Sequence, residues 1–159
     1  MRCPLLAICL LSGLVLPASA QADPEPAAVL AVVARLFDGM RRHDSGMVRS
    51  VFAAESRLLG VSMRTGTPVV QVTSVDDFVK AVGSATGDPW DERTYDPEVR
   101  IDDRLATVWA RYDFLLGPRW SHCGVDAFML AKLADGWKIT QIADTRQRER
   151  CTTPAAPKS

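Results

Sequence analysis

Three features of the chain predict an α+β fold. Val29, Val32, Val33, Leu36, Phe37 and Met40 recur at helical spacing near the start, the mark of an amphipathic helix. Long β-rich runs fill the last third, separated by short turn signals such as Ala134-Asp135-Gly136. Helical and strand patterns are segregated along the chain rather than alternating, which separates α+β from α/β. The expected architecture is a curved antiparallel sheet of about six strands wrapped around a long N-terminal helix, with two shorter helices. A strongly twisted sheet of this kind can curl into a cone with a cavity.

Residues 1–20 differ from the rest. Met1-Arg2 is a short positive start, residues 5–16 ("LLAICLLSGLVL") are apolar, and Pro17 precedes Ala18-Ser19-Ala20. That is the pattern of a signal peptide with a small-residue cleavage site, and the run is short for a spanning helix. Cleavage near Ala20 is expected, leaving a periplasmic or secreted protein with no stable membrane insertion. The mature domain would cover residues 21–151, and residues 152–159 would form a flexible tail.

Asp23-Pro24-Glu25-Pro26 combines a capping acid, first-turn prolines and a glutamate that complements the helix dipole. It starts the first helix, which is expected to run to about Arg42. Asp44 can cap a second helix that buries Met47, Val48, Val51 and Phe52. Arg57 to Arg64 and Val69 to Thr73 are strand-like runs around the turn Thr65-Gly66-Thr67-Pro68. Ser74-Val75-Asp76-Asp77 resembles a capping box and opens a third helix through Phe78, Val79 and Val82. Gly83 to Trp90 reads as a polar loop. Glu98 to Ile101, Leu105 to Leu116, Trp120 to Leu133 and Trp137 to Arg148 then form a strand meander.

Lys+Arg and Asp+Glu number 19 each, and the basic residues are scattered. Nothing therefore drives binding to nucleic acid. Export leaves two of the four cysteines, Cys123 and Cys151, and an oxidising compartment favours a disulfide between them. With Asp135-Gly136 as a two-residue turn, Cys123 falls opposite Arg148. The chain must then turn back after the strand for Cys151 to reach it.

The same register places His122, Asp126, Phe128, Leu130, Ile139, Gln141 and Thr145 on one face and Cys123 on the other. His122 and Cys123 therefore diverge, and no metal site is expected. No cofactor is expected either. In one register of the preceding hairpin, Trp109, Arg111 and Asp113 join His122 and Asp126. A one-residue shift sends those three to the opposite face. Asp126, His122 and Asp113 are the candidate acid–base residues. Trp109, Arg111, Phe128, Gln141 and Thr145 are candidate ligand contacts. Cross-strand ion pairing is the structural alternative for the same residues.

"ATVWARYDF" (106–114), "SHCGVDAF" (121–128) and "GWKITQIADTR" (136–146) together resemble the nuclear transport factor 2-like superfamily, with its cystatin-like cone. The closer resemblance is to its bacterial lumazine-binding-type branch, over roughly residues 28–148. The resemblance implies a cone-shaped pocket and frequent dimerisation through the sheet; a small apolar or aromatic ligand in that pocket and a homodimer are the expectation. It does not carry over the catalytic groups of two better-known members. Leu36 stands where ketosteroid isomerase has its oxyanion tyrosine, and "SRLLGV" (56–61) has no carboxylate where the base would be. The histidine pair and tyrosines of scytalone dehydratase have no counterpart beyond His43 and His122. The expected function is exported small-molecule binding. The alternatives are an isomerase, dehydratase or hydrolase using an Asp/His pair, and a non-catalytic interaction module.

Overall fold

The computed structural model describes residues 24–149 and 151. The expected signal peptide and tail lie outside the described residues. Three helices precede or interrupt the strands: α1 (Glu25–Arg41), α2 (Ser45–Ser50) and α3 (Val75–Ser84). Six strands, β1 (Phe52–Arg64), β2 (Thr67–Ser74), β3 (Trp90–Asp102), β4 (Leu105–Leu116), β5 (Arg119–Leu133) and β6 (Gly136–Arg146), form one sheet in the order β2-β1-β6-β5-β4-β3. All neighbours are antiparallel except β1 and β6, which run parallel.

Helices α2 and α3 start at side-chain caps, whereas Pro24 stands at the N-cap of α1 without a side-chain hydrogen bond and Asp23 lies outside the described residues. Asp44 accepts from the Met47 N–H at 2.8 Å, and Ser74 accepts from the Asp77 N–H at 3.0 Å. Each satisfies a donor that the helix cannot satisfy itself. At α1, Glu25 accepts from Lys132 Nζ at 2.7 Å and from Trp137 Nε1 at 2.8 Å. That contact fastens the helix to the β5–β6 hairpin.

One face of α1 fills the concave side of the sheet. Val29, Val33, Leu36, Phe37 and Met40 form a core with Ala106, Val108, Phe128, Leu130, Ile139 and Ile142. Phe37 meets Phe128 edge-on, with ring centroids 6.2 Å apart. Removing these side chains from water is the main drive for the sheet to wrap the helix.

The second helix is shorter than the sequence pattern predicts. It ends at Ser50, and Phe52 opens β1 instead, still buried in the core. Strand β3 is longer than expected, beginning at Trp90 rather than Glu98. Its first half is polar because β3 is an edge strand, and Pro97 sits at an irregularity between Tyr95 and Glu98. An edge bulge is where a sheet tolerates proline.

Two further bulges set the faces of the sheet. Next to the β4–β5 turn, Leu116 pairs with Arg119 and Leu115 with Trp120, one of the registers left open by the sequence. Ser121 is then an extra residue, so Phe114 pairs with His122, Tyr112 with Gly124 and Ala110 with Asp126. In the β5–β6 hairpin Leu133 pairs with Gly136, so Ala134-Asp135 form the turn and Gly136 follows at φ 108°. Leu130 pairs with Ile139 and Met129 with Gln141, leaving Thr140 as the extra residue. Beyond it, Asp126 lies opposite Asp144 rather than Thr145. Each inserted residue exchanges the two faces from that point on.

Candidate functional site

The bulges divide the expected constellation. Trp109, Arg111 and Asp113 pair with Ala127, Val125 and Cys123, on the convex face. Gln141 pairs with Met129 and also faces outward, and Thr145 is exposed. Four of the five expected ligand contacts, Trp109, Arg111, Gln141 and Thr145, therefore do not reach the cone interior. Neither does Asp113. Phe128 does lie inside, but as a fully buried core residue. Of the candidate acid–base residues, His122 and Asp126 remain on the concave side.

The convex residues form a separate set. Asp113 accepts from Tyr95 Oη and from Trp120 Nε1, each at 3.2 Å, and Arg111 pairs with Asp96. A groove of about 400 Å³ runs past Glu98, Arg100, Trp109, Met129 and Gln141. A smaller cavity of about 90 Å³ lies beside Cys123, between Tyr95, Arg111 and Gln147. Cys123 is joined to Cys151 in a disulfide with Cα atoms 5.8 Å apart. Gln147, not Arg148, pairs with Cys123, and the chain turns back within the next four residues.

Inside the cone, neighbouring strands deliver a group of polar residues above the apolar core. Glu92 on β3 pairs with Phe114 on β4, which pairs with His122 on β5. Two rows nearer the core, Asp126 on β5 pairs with Asp144 on β6, which pairs with Gly60 on β1. Tyr112, in the row between, donates to the Thr145 carbonyl at 2.9 Å, with Asp144 Oδ2 at 3.5 Å. Arg146 Nε donates to Asp144 Oδ2 at 2.7 Å. The Phe114 and His122 rings stack with centroids 4.9 Å apart, and Tyr112 stands edge-on to His122 at 5.8 Å. Ser121 Oγ lies 3.0 Å from His122 Nδ1, so the bulged residue also orients the imidazole.

Gly124 makes this packing possible. A Cβ there would stand 1.8 Å from the Thr145 carbonyl oxygen and 2.9 Å from Tyr112 Cε1. The tyrosine ring and the β6 backbone occupy the space a side chain would need.

Asp126 is the one buried charged residue among the described residues, at 2% exposure, and its Oδ2 has no hydrogen-bond partner. Burying a carboxylate without a partner is costly, so the proton is retained instead. Burial raises the Asp126 pKa well above the ordinary carboxylate range, and the Glu92 and Asp144 charges raise it further. Burial also pushes Glu92 up to about 7, although a hydrogen bond from Asp126 opposes the rise. Both carboxyls are thus held above the ordinary range, Glu92 by burial and Asp126 by burial and by the neighbouring Glu92. Burial likewise raises the Tyr112 hydroxyl, with Asp144 and Glu92 adding to the shift. His122 is pushed down by burial and by Arg146, which favours neutral imidazole.

Glu92 and Tyr112 are the residues sequence reasoning missed. Glu92 lies in the polar half of β3 that carries no clear strand pattern. Tyr112 alternates with Trp109, Arg111 and Asp113 and comes inside only because of the Ser121 bulge. Arg146 is bonded to Asp144. Among the described residues, no three His, Cys, Asp or Glu side chains are grouped to hold a metal ion.

Comparison with known proteins agrees with this architecture. No curated protein matches the chain. A nuclear transport factor 2-like protein of unknown function from Shewanella baltica is 16% identical, with a TM-score of 0.63 over 82% of this chain and 100% of its own. A cystatin-like protein of unknown function from Nostoc punctiforme is 10% identical, with a TM-score of 0.61 over 78% of this chain and 92% of its own. A putative dehydratase of the same superfamily from Streptomyces avermitilis is 15% identical, with a TM-score of 0.59 over 80% of this chain and 99% of its own. The model of the family described as "Putative lumazine-binding" matches residues 24–142. The chain belongs to that family and shares its fold with these nuclear transport factor 2-like and cystatin-like structures.

Proposed function

We propose that this is an exported protein that binds a small molecule at the Glu92–Asp126 pair on the concave side of its sheet. The carrying observation is Asp126, held at 2% exposure with an unpartnered oxygen beside a second protonatable carboxyl. An unsatisfied acceptor of this kind is stabilised by a ligand that brings a donor. Phe114, His122 and Tyr112 offer ring faces and edges for an aromatic or apolar portion. The family description supports a small-molecule ligand. The N-terminal pattern and the Cys123–Cys151 disulfide support export to an oxidising compartment.

The convex face supports pairing of two copies. Val61, Met63, Val70, Val72 and Trp109 are all exposed there, and Val72 is 66% accessible. A contiguous apolar area on a sheet face is characteristic of an interface.

Native mass spectrometry of the protein recovered from its own host, under non-reducing conditions, tests these readings together. The expected species is a dimer of chains beginning near Gln21, each with an intact disulfide and a retained small-molecule mass. An empty monomer with its N-terminus uncleaved would contradict the proposal.

A second reading, acid–base catalysis, is favoured by the Glu92 carboxyl, which titrates close to neutral pH. Asp126→Asn distinguishes the two readings once the ligand is known. Loss of turnover with binding retained marks an enzyme; absence of turnover in the unaltered protein marks a binder.

A further inference from the structure

We propose that the convex face carries a second small-molecule site, a groove beside Trp109 that takes a flat aromatic carboxylate. It lies on the opposite side of the sheet from Glu92 and Asp126 and does not rest on the reading of that side.

The strand register builds the groove. One row across the sheet runs Leu59, Ala143, Ala127, Trp109, Glu98, from β1 through β6, β5 and β4 to β3. The neighbouring row on the same face runs Arg57, Gln141, Met129, Thr107, Arg100. In the first row two alanines stand beside the indole, and their small side chains leave a depression. The groove there has a volume of about 400 Å³, a size that suits a small ring compound.

Its apolar wall is unfilled. Trp109 is 55% exposed and Met129 39%, although β4 and β5 each have a strand on either side. An open indole face next to a thioether is a stacking surface for a flat ring.

The polar groups set the ligand's charge. Gln141 and Thr107 are half-buried at the two ends of the groove, roughly 10 Å apart across two strand spacings. Their side chains make no hydrogen bond among the described residues. Beyond Thr107, Arg100 stands 3.9 Å from Glu98, so its charge is offset. Beyond Gln141, Arg57 is exposed and has no ion pair among the described residues. Arg111, also on this face, is held by Asp96. One uncompensated positive charge therefore stands at the Gln141 end. A guanidinium beside an amide N–H suits a carboxylate. The carboxylate points to Arg57 and Gln141, and the ring lies over Ala127 and Met129 against the indole. An amine in the same place would meet the Arg57 charge, and an alcohol would leave it unused.

The groove and the pairing of copies are separable. Val70 and Val72 lie on β2, four strand spacings from β4, roughly 19 Å away. A second copy seated over β1 and β2 alone leaves the groove open, whereas one seated over Trp109 closes it.

The test is calorimetric titration of the purified, disulfide-intact protein with cinnamate, cinnamyl alcohol and cinnamylamine at neutral pH and low salt. The indole and glutamine side-chain N–H signals are followed by NMR in parallel. Cinnamate should bind about tenfold tighter than the alcohol or the amine and shift the Trp109 and Gln141 signals. Trp109→Ala should weaken cinnamate about tenfold. Arg57→Gln should bring cinnamate to the level of the alcohol and leave the alcohol unchanged. Both positions are exposed, and far-ultraviolet circular dichroism should be unaltered in both variants. Alcohol or amine binding as tightly as cinnamate would overturn the carboxylate inference. Cinnamate binding that neither variant weakens would overturn the groove, and shifts confined to Tyr112 and His122 would then leave the concave site standing. Absence of cinnamate binding would overturn the inference too. If Trp109→Ala then turned a dimer into a monomer, the occupant of the groove would be a second copy.

Discussion

Glu92 and Gly124 make the most specific demands of single residues. In the folded chain Glu92 keeps its proton up to about 7, against an ordinary value of 4.5. Between those values the folded state binds more protons than the unfolded state, so stability falls as pH rises through that window. His122 acts in the opposite sense: its folded value lies below the ordinary 6.5, so its contribution increases as pH rises towards that value. Glu92→Gln should therefore remove a loss on the order of 2 kcal/mol between pH 4.5 and 7. Urea denaturation across that range measures it, and a variant that still loses stability like the unaltered protein would contradict the assignment. At Gly124, alanine would place a carbon 1.8 Å from a backbone oxygen. That overlap is with main chain and cannot be relieved by a rotamer change. Gly124→Ala should cost at least ~2 kcal/mol in the same assay, and a neutral result would show that β6 moves freely there.

The strands show both what the sequence reveals and where it stops. Helical spacing in α1, the Asp44 and Ser74 caps, and the apolar runs of β4 to β6 are local signals, and all were legible. The faces of β4 and β6 were not. A bulge at Ser121 or Thr140 costs one residue of alternation and has no composition of its own. The β4–β5 register was open to a one-residue shift, and the hairpin uses one register up to the bulge and the shifted one beyond it. That single step moved Trp109, Arg111 and Asp113 outward and brought Tyr112 in. Glu92 was hidden differently: an edge strand interrupted at Pro97 needs little apolar patterning because one of its sides is open. Long-range pairing decides such positions, and a local reading does not contain it. The Cys123–Cys151 link was legible in kind, from cysteine number and the export pattern, although Cys123 pairs with Gln147, just beyond β6, rather than with Arg148. It closes a loop of 28 residues and fastens the chain after β6 back onto β5. Reduction should lower stability by roughly 2–4 kcal/mol, read as a fall in the melting temperature with reductant. An unchanged melting temperature would mean that this chain end contributes nothing to the cooperative unit.

On the scale of the whole molecule, the sheet separates two kinds of surface. Its concave side carries the core, and above that core the carboxyl pair with its aromatic neighbours. Its convex side carries exposed apolar residues, the groove past Trp109 and the disulfide. The first supports the ligand reading and the second the pairing of copies. Both depend on bulges that turn polar residues inward without breaking the sheet. The claim on which the functional account rests is that Glu92 and Asp126 share a proton inside the cone. Carbon-13 NMR titration of the side-chain carboxyls, with Glu92→Gln and Asp126→Asn for assignment, measures it directly. The account predicts that Glu92 titrates near 7, that Asp126 remains protonated well above the ordinary range, and that removing Glu92 shifts Asp126 downward. Two independent carboxyls titrating at ordinary values would contradict it.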